Sequence, residues 1–340
     1  MIHQIDENRL YWIDAIRSFA CLCVITVHAA VPGGTNGAYV IGPINYFSAS
    51  GASILFFMIS GALVLYKPKP FGPFIRQRLS RIVLPMVIWT LISLVLSCSR
   101  GLTHWSEIPR KILLIPFYPQ YGTYWFIYVI FGIYLLTPIV ALWLEKCNRK
   151  DLEIILGIGL LALFTPYLKH FFGEDLETAL DKSQGWLYYF GGFMWYAIMG
   201  YYIRKYINIT TYKFYHYIIF IALIILPLLL YQTSIPHGII QSRMSVNMAM
   251  LCCSYFIIIK HLHFSDFMKK TVFNFAQHSF GIYLVHMQVM NIILKPLLIE
   301  RYDFHYALII PLTLVLNALI SYCIVHLISK LPYSKYIVGL

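Results

Sequence analysis

The strongest constraint on this chain is a set of apolar runs, each about 20 residues long, that recur from one end to the other with only short polar gaps between them. A helical run of that length matches the hydrocarbon thickness of a bilayer. Ten such stretches are present, at 10–31, 44–66, 82–99, 123–144, 152–171, 186–203, 215–231, 245–260, 279–299 and 306–329. With 59% hydrophobic and 12% charged residues, the chain is not a soluble domain. The pattern predicts an all-α integral membrane protein with about ten transmembrane helices.

Lys and Arg in the loops set the orientation, because positive charge is retained on the cytoplasmic side. With the N-terminus inside, 17 of the 26 basic residues fall on the cytoplasmic side, eight fall outside, and Arg17 lies within the first span. Both termini are therefore expected in the cytoplasm. The net charge of +12 then reads as a topology signal and as contact with anionic membrane lipid. It does not read as a nucleic-acid surface, because no long basic stretch is interleaved with stacking aromatics.

No internal repeat and no linker rich in Pro, Gly or Ser divides the chain, so residues 1–340 are expected to form one membrane-embedded domain. The longest outside loops, 100–122 and 172–185, are too short to hold a soluble catalytic domain. Any chemistry must come from the spans and their ends. The seven cysteines form no CxxC pair and lie mostly in apolar runs, which makes them core residues, not disulfides or metal ligands. The first run ends in "HAAVPGG", as a cleaved leader can, but its flank is acidic as well as basic and ionisable residues interrupt it. It is read as a retained helix. Abundant Tyr and Trp, as in "YGTYWFIY", are read as interfacial anchors.

Three polar clusters stand against this apolar background. In the first span, Asp14, Arg17 and His28 share one helical stripe, since eleven residues from Arg17 to His28 make roughly three turns and a rise of roughly 16 Å. Such a stripe is costly against lipid and belongs on the bundle interior. Asp14 and Arg17 can be a structural ion pair or part of a site, whereas His28 has no partner within a turn of its own helix. The second cluster, Arg76, Arg78 and Arg81 in "FIRQRLSRIVLP", precedes the third span on the cytoplasmic side. It satisfies the positive-inside rule, and it can also hold phosphates through planar bidentate donors. The third, Ser279, Tyr283 and His286 in "HSFGIYLVHMQ", lies on one helix face at the start of the ninth span, where interhelical hydrogen bonding accounts for it and no acid follows at the spacing of a hydrolytic triad. Ser60 and Gly61 in "FFMISGALV" most simply allow close helix packing.

In that order, Arg17 and His28 in the first span, "FFMISGALV" in the second, Arg78-x-x-Arg81 in the first cytoplasmic loop and "SFGIYLVH" near the end resemble the acyltransferase-3 family over essentially the whole chain. Within it, "YWIDAIR" and the lack of an appended extracytoplasmic domain are most similar to compact bacterial surface-polysaccharide O-acetyltransferases, among them that of the enterobacterial common antigen. The resemblance implies a multi-pass enzyme of the bacterial inner membrane. It would move an acyl group, usually acetyl, from cytoplasmic acetyl-CoA to a hydroxyl of a glycan or lipid-linked glycan, without a metal or prosthetic group, alone or beside polysaccharide-assembly proteins. It makes Arg17 and His28 the essential pair, with Asp14 orienting Arg17, and assigns coenzyme A phosphates to Arg78 and Arg81, with Arg76 nearby. Ser279, Tyr283 and His286 become secondary candidates lining the same cavity. His28 is then a general base or a transient acyl carrier. A transporter or flippase of a lipid-linked glycan or acyl donor is the alternative, which would leave the arginine cluster without a role.

Overall fold

A computed structural model of the protein describes residues 9–29, 38–173, 187, 190–209, 213–231, 233, 235–299 and 305–339. Among these, no strand is found and seven helices are long and apolar enough to cross a membrane. In chain order the helical spans are α1 (Tyr11–Ala29), α2 (Gly42–Val64), α3 (Phe71–Ser99), α4 (Gly122–Lys146), α5 (Arg149–Phe172), α6 (Phe193–Tyr206), α7 (Phe214–Tyr231), α8 (Val246–Lys260), α9 (Asp266–Ile299) and α10 (Ala307–Ser329). Each expected span coincides with one of them. Three, α6, α7 and α8, are shorter, at 14, 18 and 15 residues. The "HAAVPGG" tail beyond Ala29, most of the loop 172–185 and part of the opening of the sixth expected span lie outside the described residues.

Two boundaries differ most from the sequence reading. The third span begins at Phe71, not 82, and the ninth at Asp266, not 279. Counting apolar residues locates the part of a helix that lies in hydrocarbon, but a helix continues as long as its backbone bonds do. The 34 residues of α9 reach up to about 50 Å if fully α-helical, well beyond the roughly 30 Å of a bilayer core. Consequently Arg76, Arg78 and Arg81 stand on a helix, not in a loop, and His278 to His286 occupy the middle of α9, not its start. The α-helical ladder loosens to π-helix at Leu79–Val83, just after Arg78, and again at Val289–Ile299.

Helix α1 lies inside the bundle, against α2, α8, α9 and α10. Its small residues permit this closeness: the Cys21 thiol approaches the Ser279 carbonyl at 3.7 Å, and the Ser18 hydroxyl donates to the Val272 carbonyl at 3.2 Å. Helices α2 and α6 come closer still. A Cβ added to Gly61 would lie 1.7 Å from the Ala197 carbonyl oxygen, and one on Gly200 would lie 2.1 Å from that of Met58. Small residues bring helices together in this way in membranes, where apolar area alone does not favour association. Because the obstacle is backbone, Gly61→Ala must push the helices apart; a loss of roughly 1–3 kcal/mol is expected, read as a lower melting midpoint of the detergent-solubilised protein.

A buried polar knot ties α2, α5 and α8. Asn247 accepts from the Tyr167 hydroxyl at 2.6 Å and donates to the Tyr46 hydroxyl at 2.8 Å and the Ile240 carbonyl at 2.6 Å. These bonds hold the wall of the bundle against which α1 rests.

Candidate active site

The site grows from α1. Asp14, 3% exposed, accepts from Arg9 Nε at 2.7 Å and Nη2 at 3.1 Å, a bidentate pair. Arg17 stands 3.8 Å from the same carboxylate, too far for a hydrogen bond. The main partner of Asp14 is thus Arg9, not Arg17. Arg9 arrives from outside the helix and can lay its planar fork along the carboxylate, which a residue one turn up the same helix cannot do. Asp14 balances charge near Arg17 but does not fix its geometry.

Beyond its 3.8 Å ion pair with Asp14, Arg17 lines a cavity of about 270 Å³ together with Arg78 and Arg81 of α3. Arg78 lies between aromatic faces, its guanidinium 4.8 Å from the Tyr134 ring and 5.1 Å from that of Phe74, while its Nε has no hydrogen-bond partner. Tyr134 is itself held by the Ser60 hydroxyl at 3.0 Å. Among the described residues, no acidic side chain lines this cavity. Three guanidiniums facing one space without a carboxylate among them make a site for a multiply charged anion. Arg76 does not join them. Two residues before Arg78 it points about 200° away around the helix, into a separate groove with Gln77, Ser80 and Tyr336.

His28 opens into a second cavity, of about 320 Å³, at the other end of α1. Arg243, from the segment before α8, is the one Lys or Arg in its lining among the described residues; its guanidinium lies 4.7 Å from the Trp125 ring. The Tyr196 hydroxyl donates to the Arg243 carbonyl at 2.7 Å and fixes that segment.

The two cavities meet at Phe126 and Tyr283, which line both. Their rings stand edge to face with centroids 5.7 Å apart, and the Tyr283 hydroxyl donates to the Thr123 carbonyl, so the partition is pinned to the start of α4. Arg17 and His28 therefore face the same way from α1 but into different spaces.

The α9 trio divides in the same manner, and the expectation of a single shared lining is corrected. Ser279 lines the arginine cavity with its hydroxyl bonded to its own helix, at Ala276, 2.8 Å away. Tyr283 is part of the partition. His286 lines neither space; it is fully buried, with its ring centroid 5.2 Å from that of His28. The turn-by-turn spacing carries the three past successive depths of the bundle, so sharing a helix face does not mean sharing a cavity.

A family model described as an acyltransferase domain matches residues 10–326, which takes in α1, the partition and all but the end of α10. The chain belongs to the acyltransferase-3 family. No curated protein and no solved structure matches it. This acyltransferase-3 protein is thus an all-α, multi-pass membrane acyltransferase. Sequence reasoning on it missed Phe126, Trp125 and Arg243. The aromatics resembled interfacial anchors, and Arg243 was one of eight basic residues counted outside. The usable signal was that an arginine outside runs against the charge bias.

Proposed function

We propose that this acyltransferase takes an acetyl group from cytoplasmic acetyl-CoA, across the inner membrane of a bacterium, to a hydroxyl of a surface polysaccharide or its lipid-linked precursor. The observation that supports this most is the pair of cavities divided by Phe126 and Tyr283, one walled by arginines and the other holding His28. Coenzyme A carries several phosphate charges that hydrocarbon excludes, so its anchor must be cationic and must open to the cytoplasm. Arg17, Arg78 and Arg81 fit that anchor, on the side that the loop charges assign to the cytoplasm.

From there the thioester arm must reach past Phe126 and Tyr283 to arrive beside His28, roughly 16 Å along the axis from Arg17. The acceptor hydroxyl comes from the opposite side, past the stacked Trp125 and Arg243. His28 takes its proton as the oxygen attacks the thioester carbonyl, and returns that proton to the departing thiolate; alternatively it carries the acyl group itself between the two steps. Water would divert the acyl group to acetate, and the aromatic partition keeps the spaces apart until the arm passes.

Labelled acetyl-CoA supplied to membranes containing the protein should mark a membrane or surface glycan. Absence of any labelled glycan, with the protein present and folded, would refute the reading. Arg243 stands where the acceptor enters. Arg243→Gln should raise KM for the acceptor several-fold, with KM for acetyl-CoA unchanged, measured by titrating each substrate in turn.

A further inference from the structure

Fully buried His286 is the one imidazole packed against His28 among the described residues, and its polar atoms are unevenly satisfied. Its Nδ1 stands 2.6 Å from the Tyr283 carbonyl. A carbonyl can only accept, so Nδ1 carries the proton and, in the neutral ring, Nε2 is left with a lone pair. That Nε2 has no hydrogen-bond partner, although it is buried, where an unpaired acceptor is costly. The ring carbonyl-anchored in this way cannot turn over to hide the atom without losing the Tyr283 bond. The Asn317 amide donates to the His286 carbonyl at 3.1 Å and holds the backbone at the same point.

The imidazole that packs against the His286 ring is that of His28. With centroids 5.2 Å apart and planes inclined by 40°, the two rings are close enough that a turn of His28 which aims a ring N–H at His286 Nε2, to the roughly 3 Å of a hydrogen bond, would supply the missing partner. His28, unlike His286, borders open space into which its ring can turn.

We infer that His286 is a positioning residue for His28: its Nε2 accepts the N–H of one His28 nitrogen and thereby keeps the lone pair of the other aimed into the acceptor cavity. This rests on the reading of His28 given above. An imidazole has one proton for two nitrogens, and a base or nucleophile works only when the lone pair faces the substrate. An acceptor placed behind the ring selects that tautomer, the role an acid plays in hydrolytic triads. Here the acceptor is neutral, so it orients His28 without burying a second charge.

The proton count follows. The acceptor O–H gives its proton to the cavity-facing nitrogen of His28, the O–C bond forms as the C–S bond breaks, and the CoA thiolate takes the same proton. His286 gains and loses none. It holds the N–H of His28 throughout, most tightly while His28 is an imidazolium.

The experiment compares His286→Gln and His286→Phe with the parent and with His28→Ala in the labelled acetyl-transfer reaction. Glutamine can place its carbonyl oxygen near the position of Nε2, whereas phenylalanine keeps a ring and removes both nitrogens. His286→Phe should lose about 10- to 100-fold in kcat with KM for acetyl-CoA unchanged, and His286→Gln should recover most of that loss. If His286→Phe does not accumulate as folded protein by detergent gel filtration, His286→Met reads the same loss. Parental kcat in the Phe or Met variant, or equal losses in the Gln and Phe variants, would overturn the inference. An active His28→Ala would instead remove the reading of His28 on which it rests.

Discussion

The His28→Ala protein is expected to reach the membrane at the parental level and to lose acetyl transfer by about 10²- to 10⁴-fold. The size follows from the role. General acid–base groups contribute that much, and among the described residues the lining of the cavity that holds His28 contains no other group able to take a proton from a hydroxyl at neutral pH: its charged neighbour is Arg243, and its other polar side chains are Ser53, Thr123, Trp125 and Tyr283. Stability should change little, because His28 borders open space. Labelled-acetyl counts on glycan, normalised to protein by immunoblot, measure the loss. A drop in abundance equal to the drop in activity would place His28 among the structural residues instead.

Arg78→Ala and Arg81→Ala are expected to act on the donor. A charge-assisted hydrogen bond is worth about 1.5–3 kcal/mol, so each change should raise KM for acetyl-CoA roughly ten- to a hundredfold while kcat at saturation falls less. Arg78→Lys should fall between, since an ammonium keeps the charge but neither the bidentate fork nor the stacking between Tyr134 and Phe74. Arg76→Ala should have a smaller effect than either, because that side chain opens into a different groove. Steady-state titrations with acetyl-CoA decide this. Equal KM values for the Arg76, Arg78 and Arg81 variants would mean that the arginine cavity is not where the donor binds.

Much of the architecture was legible in the residues because bilayer thickness imposes a length on every span, and ten apolar runs of that length leave little freedom. What composition could not supply was where helices end. Arg76 and Lys269 are polar, so they lie outside any apolar window, yet both belong to helices whose backbone bonds are indifferent to polarity. The stripe of Arg17 and His28 followed from helical geometry, and the structure keeps it on one side of α1. It does not keep it in one space, because Phe126 and Tyr283 come from α4 and α9, and no periodicity within α1 reports them. The partner of Asp14 was misread for a related reason: i, i+3 spacing nominates Arg17, whereas Arg9 reaches the carboxylate from the chain before the helix. The contact between His28 and His286 joins residues 258 positions apart and rests on tertiary packing alone.

The central claim is that donor and acceptor approach from opposite sides and meet at the Phe126–Tyr283 partition. Sealed right-side-out vesicles from bacterial cells expressing the protein, with their own surface glycan as acceptor, test it without knowledge of which sugar is modified. Labelled acetyl-CoA is either trapped in the lumen, on the former cytoplasmic side, or added to the medium. Label should appear on the glycan only with luminal acetyl-CoA, and should vanish in vesicles carrying His28→Ala. Equal or greater labelling from acetyl-CoA in the medium of intact vesicles would contradict the account.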